Sequence, residues 1–269
     1  MKIFKDKKSL IKEISHYKNL SFVPTMGSLH KGHVSLIRAA KKKSGKIIVS
    51  IYINPKQFNS KIDFRKYPKN LTKDLKILKK EKIDYLYLPS TNDIYSFKSN
   101  LPIYLHHFSK KLCGKFRPGH FKGVVNVVNR FLQIIKPRYM FLGIKDLQQL
   151  ILIKLHVIKN NIKTIIIPCN TVRSSSGIAL SSRNARLNNS QTKIASKVVK
   201  FLKKNKSKLI KNKSNTFKLN LINKIINLGV DKVDYLETVN IKKFAEVKNF
   251  KDKIFIAYYL GNVRLIDNL

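Results

Sequence analysis

Apolar residues recur along the first two-thirds of the chain in two alternating patterns. Between residues 9 and 17 they lie at Leu10, Ile11, Ile14 and Tyr17, the spacing of one helical face. Short apolar runs bounded by polar residues predict strands. The predicted helices are 9–17, 34–43, 71–80, 123–135 and 146–158, and the predicted strands are 20–24, 46–53, 83–88, 139–142 and 163–167. This alternation predicts an α/β fold with a doubly wound, Rossmann-like parallel sheet, which binds ligands at the carboxyl ends of its strands.

The pattern changes after residue 169. A polar, serine-rich segment is followed by predicted helices at 194–202 and 217–228 and by predicted strands at 233–239, 254–260 and 263–266. Gly261 and Asn262 have the composition of a hairpin turn, and the lysine- and asparagine-rich tract 203–218 is typical of a solvated helix end and loop. We therefore expect a first domain, 1–169, and a smaller α+β domain, 170–269, whose antiparallel sheet closes over the site.

Composition narrows the class of protein. The chain has 269 residues, of which 43% are hydrophobic, so it can bury a sizeable core. It contains no run of about 20 apolar residues, and its first ten residues lack the apolar stretch of a signal peptide, so we expect a cytoplasmic protein with no membrane association. Cys113 and Cys169 fit neither a disulfide scaffold nor a metal-binding spacing, and we expect no metal site built by the protein.

The formal net charge of +42 would attract any polyanion. The lysines are spread along the whole chain and mixed with asparagine and isoleucine, whereas a nucleic-acid-binding surface gathers its basic residues or interleaves them with aromatic residues. These three residue types have A/T-rich codons, which favours a compositional origin for the charge. We expect no specific nucleic-acid partner. A basic nucleic-acid-binding protein without catalytic activity is kept as the alternative to an enzyme.

The segment VPTMGSLHKGHVSLIRAA places a glycine-containing loop between the first long strand and a helix. Backbone N–H groups at a helix start are unpaired and favour negative charge, so this loop predicts a phosphate site. His30 and His33 share one face if the helix begins near Lys31, and Gly32 lets a ligand approach the backbone. A capping loop with two surface histidines is an equally simple interpretation. Zinc binding would need a third ligand, which the loop lacks.

Two further segments carry candidate binding groups. The segment NPKQF follows the second long strand, and Gln57 can both donate to and accept from a ligand with hydroxyl and carboxylate groups. The segment RPGHFKG places Arg117, Gly119 and His120 before an apolar helix, which is a weak indication of another anion site. The segment NPKQF could also be an ordinary polar loop.

The last two candidate segments are GIKDLQQL and SSSGIALSSRNARL. Lys145 could neutralise phosphate charge that develops in a transition state, and Asp146 could bind a ligand or simply cap a helix. Arg183 with its neighbouring hydroxyl and backbone N–H groups could hold a leaving pyrophosphate. A serine-rich turn is usually only a turn, but all five segments fall where a doubly wound sheet binds its ligands.

Together and in this order, the five segments and the closing RLIDN resemble the pantoate–beta-alanine ligases (pantothenate synthetases), a family of the nucleotidyltransferase superfamily with the His-x-Gly-His signature. The resemblance implies that pantoate attacks ATP, in complex with Mg²⁺, to form pantoyl adenylate and pyrophosphate, and that β-alanine then displaces AMP. It also implies a homodimer built on the first domain. A nucleotidyltransferase of the same fold that makes no amide is the nearest rival.

The resemblance also implies roles for individual residues. The catalytic residues would be His33 as proton donor, His30 and Lys145, while Gln57 and Gln149 would bind pantoate and Gln57 also β-alanine. ATP binding is implied for Met26, Gly27, Ser28, Leu29, His30, Lys31, Gly32, His33, Gly143, Ile144, Lys145, Asp146, Val172, Leu180, Ser181, Ser182 and Arg183. Three positions depart from the family pattern, with Ile62 and Ser176 in place of acidic residues and Lys69 in place of arginine.

Overall fold

Six parallel strands form the first sheet of the protein. The structure, a computed structural model, describes residues 1–43, 45–212, 214–241, 244 and 252–269. The strands are β1 (Lys2–Phe4), β2 (Leu20–Thr25), β3 (Lys46–Ile51), β4 (Tyr85–Tyr87), β5 (Tyr139–Gly143) and β6 (Ile165–Cys169). Their order in the sheet is β1-β4-β3-β2-β5-β6, and each pair of neighbours is parallel. The expected doubly wound α/β fold is confirmed.

Helices follow the strands along the chain. They are α1 (Lys7–Ile14), α2 (Lys31–Lys41), α3 (Lys61–Arg65), α4 (Leu71–Lys80), α5 (Thr91–Tyr95), α6 (Cys113–Phe116), α7 (His120–Ile135) and α8 (Leu147–Lys159). Single 3-10 turns lie at Pro55–Gln57, His107–Lys110 and Ile144–Asp146. No helix in the described part of the chain has both the length and the apolar character needed to span a membrane.

The strand order locates the place where a ligand can bind. From β2 the chain builds the sheet outward through β3 and β4 on one side, and it later adds β5 and β6 on the other side. Strand order therefore reverses between β2 and β5, and a doubly wound sheet leaves a crevice at the carboxyl ends of the two strands that flank such a reversal. The core between the sheet and its helices includes Val23, Val49 and Phe141, all nearly inaccessible to solvent.

A buried histidine joins the two long helices α7 and α8. The Nδ1 atom of His156 accepts a hydrogen bond from the Tyr104 backbone N–H at 3.2 Å, and Nε2 lies 3.2 Å from Oδ1 of Asn129. Burial lowers the pKa of His156 to about 4. The ring is therefore neutral at pH 7, with its proton on Nε2 donated to Asn129.

After β6, the described residues build a second, antiparallel sheet with two helices. The helices are α9 (Asn189–Lys211) and α10 (Asn215–Ile226), a 3-10 turn lies at Ser182–Arg186, and the strands are β7 (Lys232–Val239), β8 (Lys253–Leu260) and β9 (Val263–Asn268). The sheet order is β7-β8-β9, and Gly261-Asn262 form the expected turn between the last two strands. Their core includes Leu202, Ile225 and Ile256.

Contacts group the chain into two compact units. The first unit comprises Met1–Ile144 and Gln148–Asn170, and the second comprises Lys145–Leu147 and Thr171–Leu269. Lys145 thus belongs to the second unit, although it follows β5 directly in the sequence. The division of ligand binding between a domain 1–169 and a domain 170–269 stays a prediction.

Several predicted boundaries were wrong, for physical reasons. Helices α2 and α7 both begin three residues before the predicted start, because their first turns contain a histidine and a glycine and show no apolar periodicity. Strand β1 was missed because it has only three residues. Helix α9 continues nine residues beyond the predicted end at 202, and the tract 203–218 is not wholly solvated, since Leu209 is buried.

Candidate active site

The loop between β2 and α2, residues 26–30, turns sharply at the carboxyl end of β2. Gly27 and Ser28 have φ angles of 78° and 51°, in the left-handed region. A Cβ on Gly27 would lie 3.0 Å from Oδ2 of Asp74 and 3.1 Å from Cγ2 of Ile51. Glycine is therefore required here both by backbone conformation and by the close approach of two side chains. We call residues 26–30 the β2–α2 loop.

A buried carboxylate holds this loop in place. Oδ2 of Asp74 in α4 accepts from the Ser28 N–H at 2.8 Å, and Oδ1 accepts from the Leu29 N–H at 2.7 Å. Asp74 is 1% exposed, and burial raises the pKa of its carboxyl while the two backbone hydrogen bonds oppose that rise. The expectation of unpaired N–H groups was therefore wrong for Ser28 and Leu29. Sequence analysis missed Asp74, whose only local signal is an acidic residue on the buried face of α4.

The two histidines of the signature cap α2. The Nδ1 atom of His30, the N-cap residue, accepts from the Gly32 N–H at 3.1 Å, and Nδ1 of His33 accepts from the His30 N–H at 3.3 Å. Their ring centroids are 4.1 Å apart, so the expected shared face is present together with the capping role. Because both Nδ1 atoms accept, the neutral tautomer with its proton on Nε2 is favoured, and such an N–H is a suitable donor to a phosphate oxygen. Lys31, Gly32 and His33 are the first three residues of α2.

The second candidate segment lies beside the β2–α2 loop. Asn54 caps the 3-10 turn Pro55–Gln57 at the end of β3, and we call residues 54–58 the Gln57 segment. The amide of Gln57 donates from Nε2 to Sδ of Met26 at 3.2 Å, and its Oε1 accepts from Nδ2 of Asn54 at 3.1 Å. These contacts fix which end of the Gln57 amide presents N–H groups and which presents oxygen.

The segment RPGHFKG holds the backbone of the Gln57 segment. His120 donates from Nδ1 to the Gln57 carbonyl oxygen at 2.7 Å, and Nη2 of Arg117 donates to the same oxygen at 3.2 Å. Asn54 donates from Nδ2 to the carbonyl oxygen of Gly123 at 3.1 Å, and a Cβ on Gly123 would lie 2.2 Å from the Lys56 carbonyl oxygen. These side chains therefore hold the backbone of the Gln57 segment, and the anion site expected at this helix start stays a prediction.

The third candidate group follows β5, which ends at Gly143. Lys145 lies in the 3-10 turn Ile144–Asp146, and its Nζ is 3.3 Å from Oδ1 of Asp146. Gln149 lies half-buried in the first turn of α8. The neighbouring Gln148 is buried and serves the fold, since its amide accepts from the Cys113 N–H and donates to two carbonyl oxygens.

The serine-rich segment of the second unit forms a tight hairpin. Val172 accepts from the Leu180 N–H at 2.9 Å, and Gly177 closes the turn with a φ of 87°. Oγ of Ser176, one of the three residues that depart from the pattern of the resemblance, lies 2.7 Å from Oγ of Ser174. The hairpin leads into the 3-10 turn at Ser182–Arg186, which Ser181 caps through the Arg183 N–H and in which Ser182 is buried.

The structure thus brings Met26, His30, His33 and Gln57 to one edge of the first sheet. Lys145 and residues 180–183 belong to the second unit. Within the described residues, no three His, Cys, Asp or Glu side chains are grouped closely enough to hold a metal ion.

Comparisons with known proteins identify related sequences over nearly the whole chain. A family model described as pantoate-beta-alanine ligase matches residues 2–269. The chain is 41% identical over 261 residues to a pantothenate synthetase of Francisella tularensis subsp. novicida, covering 97% of this chain and 91% of that protein. It is 40% identical over 269 residues to a pantothenate synthetase of Thermoanaerobacter sp. strain X514, covering 98% and 95%.

Solved structures show the same similarity. The crystal structure of a Francisella tularensis pantoate-beta-alanine ligase, complexed with beta-gamma ATP and beta-alanine, has a TM-score of 0.86 and 39% identity, covering 100% of this chain and 97% of that one. A pantothenate synthetase of Thermus thermophilus has a TM-score of 0.85 and 27% identity, covering 100% and 99%. The resemblance seen in the sequence is therefore confirmed, and the chain belongs to the pantoate-beta-alanine ligase family.

Proposed function

We propose that this protein uses ATP to condense pantoate with β-alanine, giving pantothenate, AMP and pyrophosphate. In the first step a carboxylate oxygen of pantoate attacks the α-phosphorus of ATP, and the bond to pyrophosphate breaks. In the second step the amine of β-alanine attacks the carbonyl carbon of pantoyl adenylate, loses a proton and displaces AMP. Both steps require positioning and charge stabilisation more than a protein nucleophile.

One observation carries the proposal beyond family membership. Gln57 Nε2 contacts Met26 Sδ, so the polar group proposed for pantoate lies directly beside the loop proposed for ATP. A carboxylate must be within reach of the α-phosphorus for in-line attack, and the adjacent loops that follow the neighbouring strands β2 and β3 supply that proximity. The related Francisella tularensis ligase, complexed with beta-gamma ATP and beta-alanine, supports the same two ligands here.

We assign roles to the side chains on chemical grounds. His30 and His33 donate to phosphate oxygens, with His33 as the proton donor, because their Nδ1 atoms already accept from the backbone. Lys145 offsets charge that develops on the phosphates. Gln57 and Gln149 bind pantoate, Gln57 also contacts β-alanine, and the other ATP contacts are those implied by the family pattern.

The nucleotide enters as its Mg²⁺ complex. Mg²⁺ keeps several waters and binds mainly to substrate phosphates with one or two carboxylates, so it needs no cage built by the protein. Asp146, which pairs with Lys145, is one carboxylate in the proposed phosphate region. The ion offsets phosphate charge, and the residues of this chain hold and orient the complex.

We assign ATP and pantoate binding to the domain 1–169 and closure over the site to the domain 170–269. We further propose a homodimer built on the first domain, as the family pattern implies, and a cytoplasmic location, where ATP is available.

Isotope exchange between labelled pyrophosphate and ATP tests the proposal. Adenylation is reversible, so we expect label to enter ATP when pantoate is present, without β-alanine, and not when pantoate is omitted. Mass spectrometry of a reaction with both substrates should then detect pantothenate and AMP. Exchange that ignores pantoate but depends on a phosphate-containing acceptor would instead identify a nucleotidyltransferase that makes no amide.

A further inference from the structure

The last residues of β9 bind the backbone of Lys145. Nδ2 of Asn268 donates to the Lys145 carbonyl oxygen at 2.9 Å, and Asn268 is 4% exposed. Residues 145–147 belong to the same compact unit as β9. The closing RLIDN segment therefore has a contact to the proposed active site that its position 123 residues later in the sequence does not suggest.

The preceding residue binds the hairpin that leads to Ser181–Arg183. Both carboxylate oxygens of Asp267 accept from the Arg173 guanidinium, at 2.6 Å and 2.9 Å. Arg173 also donates to the carbonyl oxygens of Gly177 and Asn268, at 3.1 Å and 3.2 Å. A bidentate arginine–carboxylate pair fixes orientation as well as distance, and the Asp267 side chain is only 5% exposed. Asp267 itself accepts from the Asn268 N–H at 2.8 Å, which links the two contacts.

We propose that Asp267 and Asn268 are positioning residues for adenylation, with Asn268 setting the position of Lys145 and Asp267 that of the Ser181–Arg183 turn. The inference rests on the proposed function, which places both groups against the phosphates. A lysine ammonium sits on a flexible four-carbon stem, so the place it reaches depends on how firmly its backbone is held. Displacement of a catalytic group by about 1 Å can cost on the order of 10²-fold in rate.

The test compares Asn268→Leu with Lys145→Ala and with the double variant, using pantoate-dependent exchange between pyrophosphate and ATP. Leucine is close to asparagine in shape and removes the donor without adding charge. We expect Asn268→Leu to lower the exchange rate at saturating ATP about tenfold. The melting temperature should also fall, because the Lys145 carbonyl oxygen loses a buried donor, so the rates are compared well below it. The double variant should be no slower than Lys145→Ala, since a lysine that is absent cannot be misplaced. Asn220→Leu, the same change at an exposed position of α10, is the matched control.

Multiplicative effects of the two substitutions would overturn the role of Asn268, because they would show that it acts by a route other than Lys145. Wild-type exchange in Lys145→Ala would overturn it as well. The proposed function would still stand in that case if the unaltered protein shows pantoate-dependent exchange, so the two failures can be distinguished. If Asn268→Leu does not fold, Asn268→Ala serves in the same cycle.

Asp267→Asn tests the second half of the proposal. Asparagine has one acceptor oxygen where Asp267 uses two, so one guanidinium contact is lost. We expect the KM for ATP to rise about tenfold while the KM for β-alanine stays unchanged. An unchanged KM for ATP, or an equal rise for both substrates, would contradict a positioning role for Asp267.

Discussion

The β2–α2 loop and the Gln57 segment lie side by side, and side chains distant in the sequence hold them by opposite chemistry. In the β2–α2 loop, the backbone N–H groups of Ser28 and Leu29 donate to the carboxylate of Asp74 in α4. In the Gln57 segment, Arg117 and His120 donate to one backbone carbonyl oxygen. One region is held by a buried acceptor and the other by donors.

This difference determines where positive character is available for phosphate. The N–H groups of Ser28 and Leu29 already have a carboxylate as partner, and that carboxylate adds negative charge next to the proposed phosphate region. Under the proposed roles, side chains such as His33 and Lys145 therefore supply more of the charge stabilisation than these two backbone N–H groups do. In the Gln57 segment, Arg117 and His120 hold the backbone of Gln57, whereas Met26 and Asn54 orient its side-chain amide.

The largest effect is expected from His33→Ala, at the start of α2 next to the β2–α2 loop. If side chains carry the phosphate chemistry, this change should lower pantoate-dependent exchange between pyrophosphate and ATP about 10²–10⁴-fold, the usual contribution of a placed proton donor. The loss of the hydrogen bond from the His30 N–H should cost about 1 kcal/mol of stability, measurable by denaturant unfolding. His16→Ala, at an exposed histidine, is the control. Exchange at the wild-type rate would show that the backbone suffices.

The next effect is expected from Gly123→Ala, in α7, which packs against the Gln57 segment. The added Cβ would lie 2.2 Å from the Lys56 carbonyl oxygen, so α7 or the 3-10 turn must move. We expect a loss of about 1–3 kcal/mol or more in unfolding free energy, the cost of overpacking, and a raised KM for pantoate. Gly45→Ala, where a Cβ meets nothing within 4 Å, is the control. Full stability in Gly123→Ala would mean that the close packing of α7 on the Gln57 segment is not required.

A smaller effect is expected from Asp74→Asn. Asparagine offers one acceptor, so either the Ser28 or the Leu29 N–H loses its partner, at a cost of about 1–3 kcal/mol in stability. The KM for ATP should rise more than the KM for pantoate, because the β2–α2 loop is the region released. Asp63→Asn, in the first turn of the short helix α3, is a matched substitution at a site remote from the loop in sequence. A larger rise for pantoate would reverse the assignment of the two regions.

The sequence predicted these regions but not what holds them. Alternating periods and loops at strand ends are local signals, and they placed His30, His33 and Gln57 correctly after β2 and β3. Asp74 is 46 residues from Ser28 and Asp267 is 94 from Arg173, so no local spacing links them. The starts of α2 at Lys31 and of α7 at His120 were predicted late, because the first turn of each helix precedes its regular apolar repeat.

The smallest effect is expected from His120→Phe, which tests whether donors hold the Gln57 segment independently of the β2–α2 loop. Phenylalanine keeps a ring but loses the N–H that donates to the Gln57 carbonyl oxygen at 2.7 Å, while Arg117 can still donate. The lost hydrogen bond to the Gln57 carbonyl oxygen is worth about 0.5–1.5 kcal/mol, so the KM for pantoate should rise roughly 2- to 10-fold. The contact between Arg117 Nη1 and His120 Nε2, at 3.1 Å, is lost as well and adds a cost in stability. The KM for ATP should match that of the control His16→Phe. If the KM values for ATP and pantoate rise together, the β2–α2 loop and the Gln57 segment move as one body. The two kinds of hydrogen bond that hold them would then not affect the two substrates separately.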